Sequence, residues 1–279
     1  MRWIFPPALA LVACALLVTD KAPARAPQMQ HGLLGFDRNE YPGDAAMTQL
    51  RKHFAFTGYW LTPPPEERSN SWAGKRQGLE KQGWGYLLLA RGRATNKIRD
   101  AAMAQQRGTA DAREAARSAK TEGFASGAII FLDVEDGGRL APAYHEYLKS
   151  WADELVKLGF QPGVYCSGIP VDEGQGVTIV TAEDIRVNEA PRKFVLWVFN
   201  DACPPSPGCV SPANIPMPSA SGVKDAAVWQ FVRSPREKET ASQCGGYASD
   251  ENCYAAADVA RKWFLDMNVA ASANPSFAR

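Results

Sequence analysis

Residues 128–138 read AIIFLDVEDGG and place Asp133, Glu135 and Asp136 within four positions at the end of an apolar run. On a strand, side chains alternate faces, so Asp133 and Glu135 would point the same way, roughly 6.5–7 Å apart. Two carboxylates facing one cleft repel, and one of them should keep its proton near neutral pH. A protonated and an ionised carboxyl side by side are the parts needed for general acid–base catalysis. Two more acids follow strand-like runs, Asp37 in GFD and Asp266 in LDMN. A single acid after a strand would ordinarily cap the next helix. Acids at three strand ends point instead to one constellation of Asp37, Asp133, Glu135 and Asp266.

Other residues are placed to line the same cavity. Tyr165 and Ser167 would share one strand face, as would Asp266 and Asn268. Trp197, and Trp229 with Gln230, lie on strand-like runs, and Trp72 lies in a polar loop. Tryptophan on a strand is usually core, but a flat aromatic face also grips sugars. Trp72 is the strongest candidate binder by that argument. Zinc triads and Ser-His-Asp hydrolysis lack parts, because His31, His53 and His145 are the only histidines and none follows a strand. No GxSxG, GxxxxGK[ST] or strand-linked GxGxxG occurs. Mg²⁺ on the acidic mouth stays open as an alternative, without a phosphate-binding loop to accompany it. No cofactor or metal is expected.

Something must bring those strand ends together. Strand signals at 32–37, 54–61, 85–91, 128–135, 162–167, 193–199, 226–231 and 264–269 alternate with helical patterns near 44–52, 73–82, 109–122, 142–158, 182–187 and 255–262. Such alternation means parallel βα units. Eight of them close a TIM-like (β/α)8 barrel, a single α/β domain over 32–269. Connections into strands are tight, whereas those leaving strands are long (62–72, 168–181, 200–224, 232–252). Active sites of such barrels sit on the face built by the outgoing loops, which is also where the acids fall.

The chain of 279 residues is 46% hydrophobic and 22% charged, with a formal charge of +1. A neutral chain without a basic block argues against nucleic acid as a partner. Residues 1–24 have a basic start, an apolar run from Trp3 to Val18 and a small-x-small cleavage pattern ending at Ala24. That run falls short of the ~20 apolar residues that span a bilayer. A secretory signal is expected, followed by a short linker at 25–31, and no transmembrane helix in the mature chain. The protein would then be secreted, periplasmic or attached to the envelope, and monomeric. Leu11–Cys14 resembles a lipobox, so lipidation at Cys14 is the lesser alternative. In an oxidising compartment, Cys203–Cys209 and Cys244–Cys253 would pair across their turn-rich loops. Cys166 would stay a buried, inert thiol. Residues 270–279 read as a tail.

The ordered set GFD, LDVED, GVYCS, VLWV, VWQF and LDMN resembles the family-25 glycoside hydrolases, which are lysozymes on a barrel. It is similar, more closely, to the glycoside-hydrolase-like family known as domain of unknown function 1906, over about Gly32 to Asn268, including GDAAMTQLR, FTGYWL and SWAGKR. The resemblance implies Asp37, Asp133, Glu135 and Asp266 as active-site acids, Glu135 as proton donor and Tyr165 as a site-lining residue. It also implies cell-wall polysaccharide or peptidoglycan as partner, either cleaved or, in a binding protein on a hydrolase scaffold, only held. The long insertions at 200–224 and 232–253 depart from the compact lysozymes.

Overall fold

The computed structural model describes residues 31–200, 215–232, 263 and 265–277, with Met1. The expected signal segment, Cys14, the pairs Cys203–Cys209 and Cys244–Cys253, and the helix near 255–262 lie outside the described residues. In chain order the elements are β1 (Leu33–Asp37), α1 (Asp44–Leu50), β2 (Phe56–Trp60), α2 (Arg76–Lys81), β3 (Gly85–Ala90), α3 (Ala101–Glu122), β4 (Ile129–Asp133), α4 (Pro142–Lys157) and β5 (Gln161–Ser167). A small ribbon of β6 (Val171–Asp172) and β7 (Thr178–Ile179) follows, then α5 (Thr181–Asn188), β8 (Val195–Phe199), β9 (Ala226–Val232) and β10 (Asp266–Ala270).

Eight strands close a TIM-like barrel in the order β1-β10-β9-β8-β5-β4-β3-β2. Strands β2, β3 and β4 are buried along their whole length, as their unbroken apolar sequences require of strands covered on both sides. By alternation, Phe56, Leu89, Phe131 and Trp197 point into the barrel, and Phe131 meets Trp197 edge to face at 5.8 Å. The lower barrel is therefore a packed core. Leu132, Val134 and Cys166 are buried on the opposite, helix-facing side, and burial pushes the Cys166 thiol up, consistent with an inert group.

One strand departs from the expected pattern. β1, β2, β3, β4, β5, β8 and β9 pair in parallel, but β10 is antiparallel to both β9 and β1. The chain therefore enters β10 from the mouth and leaves at the floor. Periodicity reports that a segment is a strand and is blind to its direction, so the expected all-parallel barrel was wrong at this position.

Two local differences have simple causes. Helix α3 begins at Ala101, not near Thr109, with Asp100 capping it by accepting the Met103 N–H at 2.8 Å. Gly108 reads as a breaker but is a packing residue: a β-carbon there would collide with the Tyr147 carbonyl on α4. At the floor, the supposed tail docks. Asn274 accepts the Tyr86 N–H and Ser276 the Leu88 N–H, each at 2.8 Å. Pairing of β3 with β4 starts only at Leu88, so these amides need partners that the sheet does not give them. Among the described residues, no helix is long and apolar enough to cross a membrane.

Candidate active site

The site is the barrel interior where β1, β4, β5, β8, β9 and β10 reach the mouth. Asp37 ends β1 and lies in register with Asp266, the first residue of β10. Asp266 thus reaches the mouth because its strand is reversed: it opens an antiparallel strand, where an outgoing strand end was expected. Asp133 ends β4 and is in register with Tyr165. Asp37 and Asp133 are each only 7% exposed. Across β2, Gly58 leaves room for Asp37, whose β-carbon would lie 2.6 Å from a side chain placed there.

A chain of hydrogen bonds fixes Asp37. The Tyr165 hydroxyl donates to Gln230 Oε1 at 2.7 Å, and Gln230 Nε2 donates to Asp37 Oδ2 at 3.1 Å. From the other side, Trp197 Nε1 donates to Asn268 Oδ1 at 2.8 Å, and Asn268 Nδ2 donates to the same Asp37 oxygen at 2.7 Å. Even so, Asp37 is held well above the usual carboxylate range. Burial is the largest cause, followed by the charge of Asp266, with a smaller push from Asp133; the two amides oppose it. The crowded mouth therefore favours the neutral form of Asp37 more than water does.

A carboxyl with a raised folded pKa stabilises the protein fully below its unfolded value, and the contribution is lost as pH rises through the folded one. At neutral pH the crowded acids accordingly cost stability. Asp37→Asn keeps an oxygen that can accept both amides and removes a charge, so its melting temperature should exceed that of wild type at pH 7 and converge with it near pH 4. A variant less stable than wild type at pH 7 would refute this reading of the cluster.

Glu135 is placed differently from the sequence expectation. β4 ends at Asp133, and Glu135 stands in the following loop with its side chain exposed. Strand alternation therefore does not carry it beside Asp133 in the interior. Among the described residues it makes no hydrogen bond or ion pair. Its neighbours are firmly held: the Val134 N–H donates to the Tyr165 carbonyl at 2.9 Å, and Asp136 accepts the Thr95 N–H at 2.9 Å. Thr181 donates to the Gly138 carbonyl, and the Leu140 N–H donates to Asp184, both at 2.9 Å. Asp136, the third acid of the run, is thus a loop tie.

The aromatic candidates also need correction. Trp72, Trp197 and Trp229 are all fully buried, and a ring that stacks on sugar needs an open face. Trp72 packs edge-on to Tyr41 and Tyr59 and donates to the Asn39 carbonyl at 2.9 Å; a polar loop sequence concealed a buried anchor. Trp229 lies on the helix-facing side and donates to the Asn200 carbonyl at 2.9 Å. Trp197 touches the site through Asn268 and through the Tyr165 ring, which it meets edge to face at 4.8 Å. Ser167 is buried, and its hydroxyl accepts the Ile169 N–H at 3.1 Å, closing a turn. Tyr165, Gln230 and Asn268 do join the acids. Phe199, packed against the Tyr165 ring at 5.5 Å, went unnoticed in the sequence, although its place two residues beyond Trp197 puts it on the same inward face.

Behind the Glu135 loop lies a buried ionic cluster. His145 on α4 places Nδ1 2.9 Å from Glu189 and Nε2 3.1 Å from Asp184. With an acceptor at each nitrogen, the ring donates from both as the imidazolium. Burial alone would lower its pKa, but the Glu189 hydrogen bond and the charges of Asp184 and Glu189 outweigh that and raise it. Among the described residues, no group of histidine, cysteine and acidic side chains could hold a metal ion.

Comparison with known proteins supports the motif-order resemblance. No curated protein matches. An uncharacterized B. stearothermophilus protein of known structure is 19% identical over 86% of this chain and 96% of its own, with a TM-score of 0.55, which shows a shared fold. The catalytic domain of the endolysin ply40 from bacteriophage P40 of Listeria monocytogenes is 14% identical over 86% of this chain and 93% of its own, TM-score 0.49. A family 25 glycosyl hydrolase from Bacillus anthracis is 14% identical over 87% and 90%, TM-score 0.48. The family model of the Rv2525c-like, glycoside hydrolase-like domain matches residues 55–207, which include Asp133, Glu135, Tyr165 and Trp197. With more than half of its length matched, the chain belongs to the Rv2525c-like glycoside hydrolase-like family.

Proposed function

We propose that this protein cleaves β-linked, peptidoglycan-like glycan of a cell wall, outside the cytoplasm, with Glu135 as proton donor. The observation that supports it most is the gathering of Asp37, Asp133 and Asp266 at the barrel mouth, with Asp37 forced towards its neutral form. Glu135 stands exposed in the loop that follows Asp133, on the working face. It gives its proton to the leaving group, and Asp133 orients a substrate N-acetyl group for attack from within the substrate, an exception to the two-carboxylate scheme. Asp266 or Asp37 stabilises the oxocarbenium-like state. Tyr165, Gln230 and Asn268 fix the carboxyls.

One observation favours a second reading, a protein that binds wall glycan without cutting it: Glu135 is exposed in the loop after β4, apart from the buried acids of the mouth. Incubating the protein with peptidoglycan and chitin oligomers separates the two. New reducing ends, absent from an Asp133→Asn control, support the hydrolase. Saturable binding with no reducing ends between pH 4 and 8 supports the binder.

A further inference from the structure

The working face carries a second concavity. The segments leaving β2 and β3, with α3 behind them, enclose a pocket of about 460 Å³ whose lining includes Arg91, Arg93, Lys97, Asp111 and Glu114. The three cations differ. Arg93 is committed: its Nε and Nη2 bind the Asp111 carboxylate at 2.6 and 2.5 Å, and Tyr147 donates to the same carboxylate at 2.9 Å. Tyr144 fixes the Arg93 backbone by donating to its carbonyl at 2.7 Å. Arg91 and Lys97 are exposed and form no ion pair among the described residues. With Asp111 neutralising Arg93, two cations face the cavity against one acid, Glu114.

The pocket is built into the same frame as the acids. Gly92 runs so close under the end of β4 that a β-carbon there would collide with the Asp133 carbonyl oxygen. Three residues on, Thr95 is tied to Asp136. A wall of the pocket is thus attached to both sides of Glu135. The charge contrast between the two cavities is the informative feature. A glycan bearing an anionic group would be repelled at the mouth by Asp133, Asp266 and Glu135. Only a register that places the anion over Arg91 and Lys97 relieves that repulsion, and a concave site strengthens the attraction.

We propose that this pocket is an oxyanion-accepting subsite, taking a carboxylate or phosphate substituent of the glycan whose backbone crosses the acidic mouth. The substrate class is then an anionic glycan, and the reading rests on the glycan hydrolase proposal above. Titrating the wild-type protein with inorganic phosphate, N-acetylmuramic acid and neutral N-acetylglucosamine, followed by NMR, tests the pocket directly. Shifts around Arg91 and Lys97 with either anion, weakening as salt rises and absent with N-acetylglucosamine, support it, and which anion acts identifies the source. Shifts with neither anion overturn it, whatever the protein does to glycans. The Arg91→Ala/Lys97→Ala double variant then tests the link to substrate. It should lose about tenfold or more in affinity for acidic wall fragments, the loss expected from a charge-assisted hydrogen bond, and keep wild-type affinity for chitin oligomers. Equal affinities of variant and wild type for acidic fragments would overturn the subsite. Failure of the hydrolase reading shows separately, as an absence of cleavage on both glycans.

Discussion

Glu135→Gln should lower the cleavage of unactivated wall glycan by roughly 10²–10⁴-fold, the usual contribution of a positioned general acid, and leave glycan affinity within about twofold, because a rim amide keeps the shape and hydrogen-bonding reach of the acid. Substrates with good leaving groups need no proton and should lose far less. A Glu135→Gln protein as active as wild type would remove Glu135 from the mechanism. Buried Asp37, with its raised pKa, would then be the next donor to test.

His145→Leu should cost about 3–5 kcal/mol, the range for removing one partner of a buried charge pair. The loss arises from what remains: Asp184 and Glu189 would face each other without a cation, and Glu189 Oε2 already lacks a hydrogen-bond partner among the described residues. Arg139, 4.0 Å from Asp184 and half exposed, is too distant and too hydrated to substitute. The wild-type pH dependence has a definite sign. His145 has a raised folded pKa, so its contribution is complete below the unfolded histidine value of about 6.5 and is lost as pH rises through the folded one. Denaturant midpoints should therefore fall as pH rises above about 6.5 in wild type, and that fall should be missing in the variant. A pH-independent wild-type midpoint over this range would show that the imidazolium adds nothing. Because Asp184 also holds Leu140, the variant should loosen the Glu135 loop as well, visible as faster amide exchange at Leu140.

The site was legible in the sequence wherever a side chain's direction follows from strand alternation. Asp37, Asp133 and Tyr165 sit on regular parallel strands, and a period of two placed all three inward. Asp266 was assigned to the mouth for the wrong reason, because residue pattern carries no information on strand direction. Glu135 lies two residues past the last ladder position of β4, where the period of two no longer applies. The tryptophans show another limit. Side-chain chemistry makes them capable of stacking on sugar, but whether a face is open depends on packing between elements far apart in sequence, as between Trp72 and Tyr59. The Arg91–Lys97 pocket escaped notice because it is made by two loops and a helix, none with a local signature.

The reversal of β10 also decides how the molecule can be held. Leu33, where the first strand begins, lies beside Ala270, where the last one ends, so both barrel termini emerge through the floor, and residues 274–276 are bonded to the lower end of β3. A tether fixed at either end would leave the acidic opening pointing away from its support. Immobilised on beads through residue 31 or residue 277, the protein should meet insoluble wall fragments equally well in both orientations, whereas attachment at the β6–β7 ribbon would press the opening against the surface.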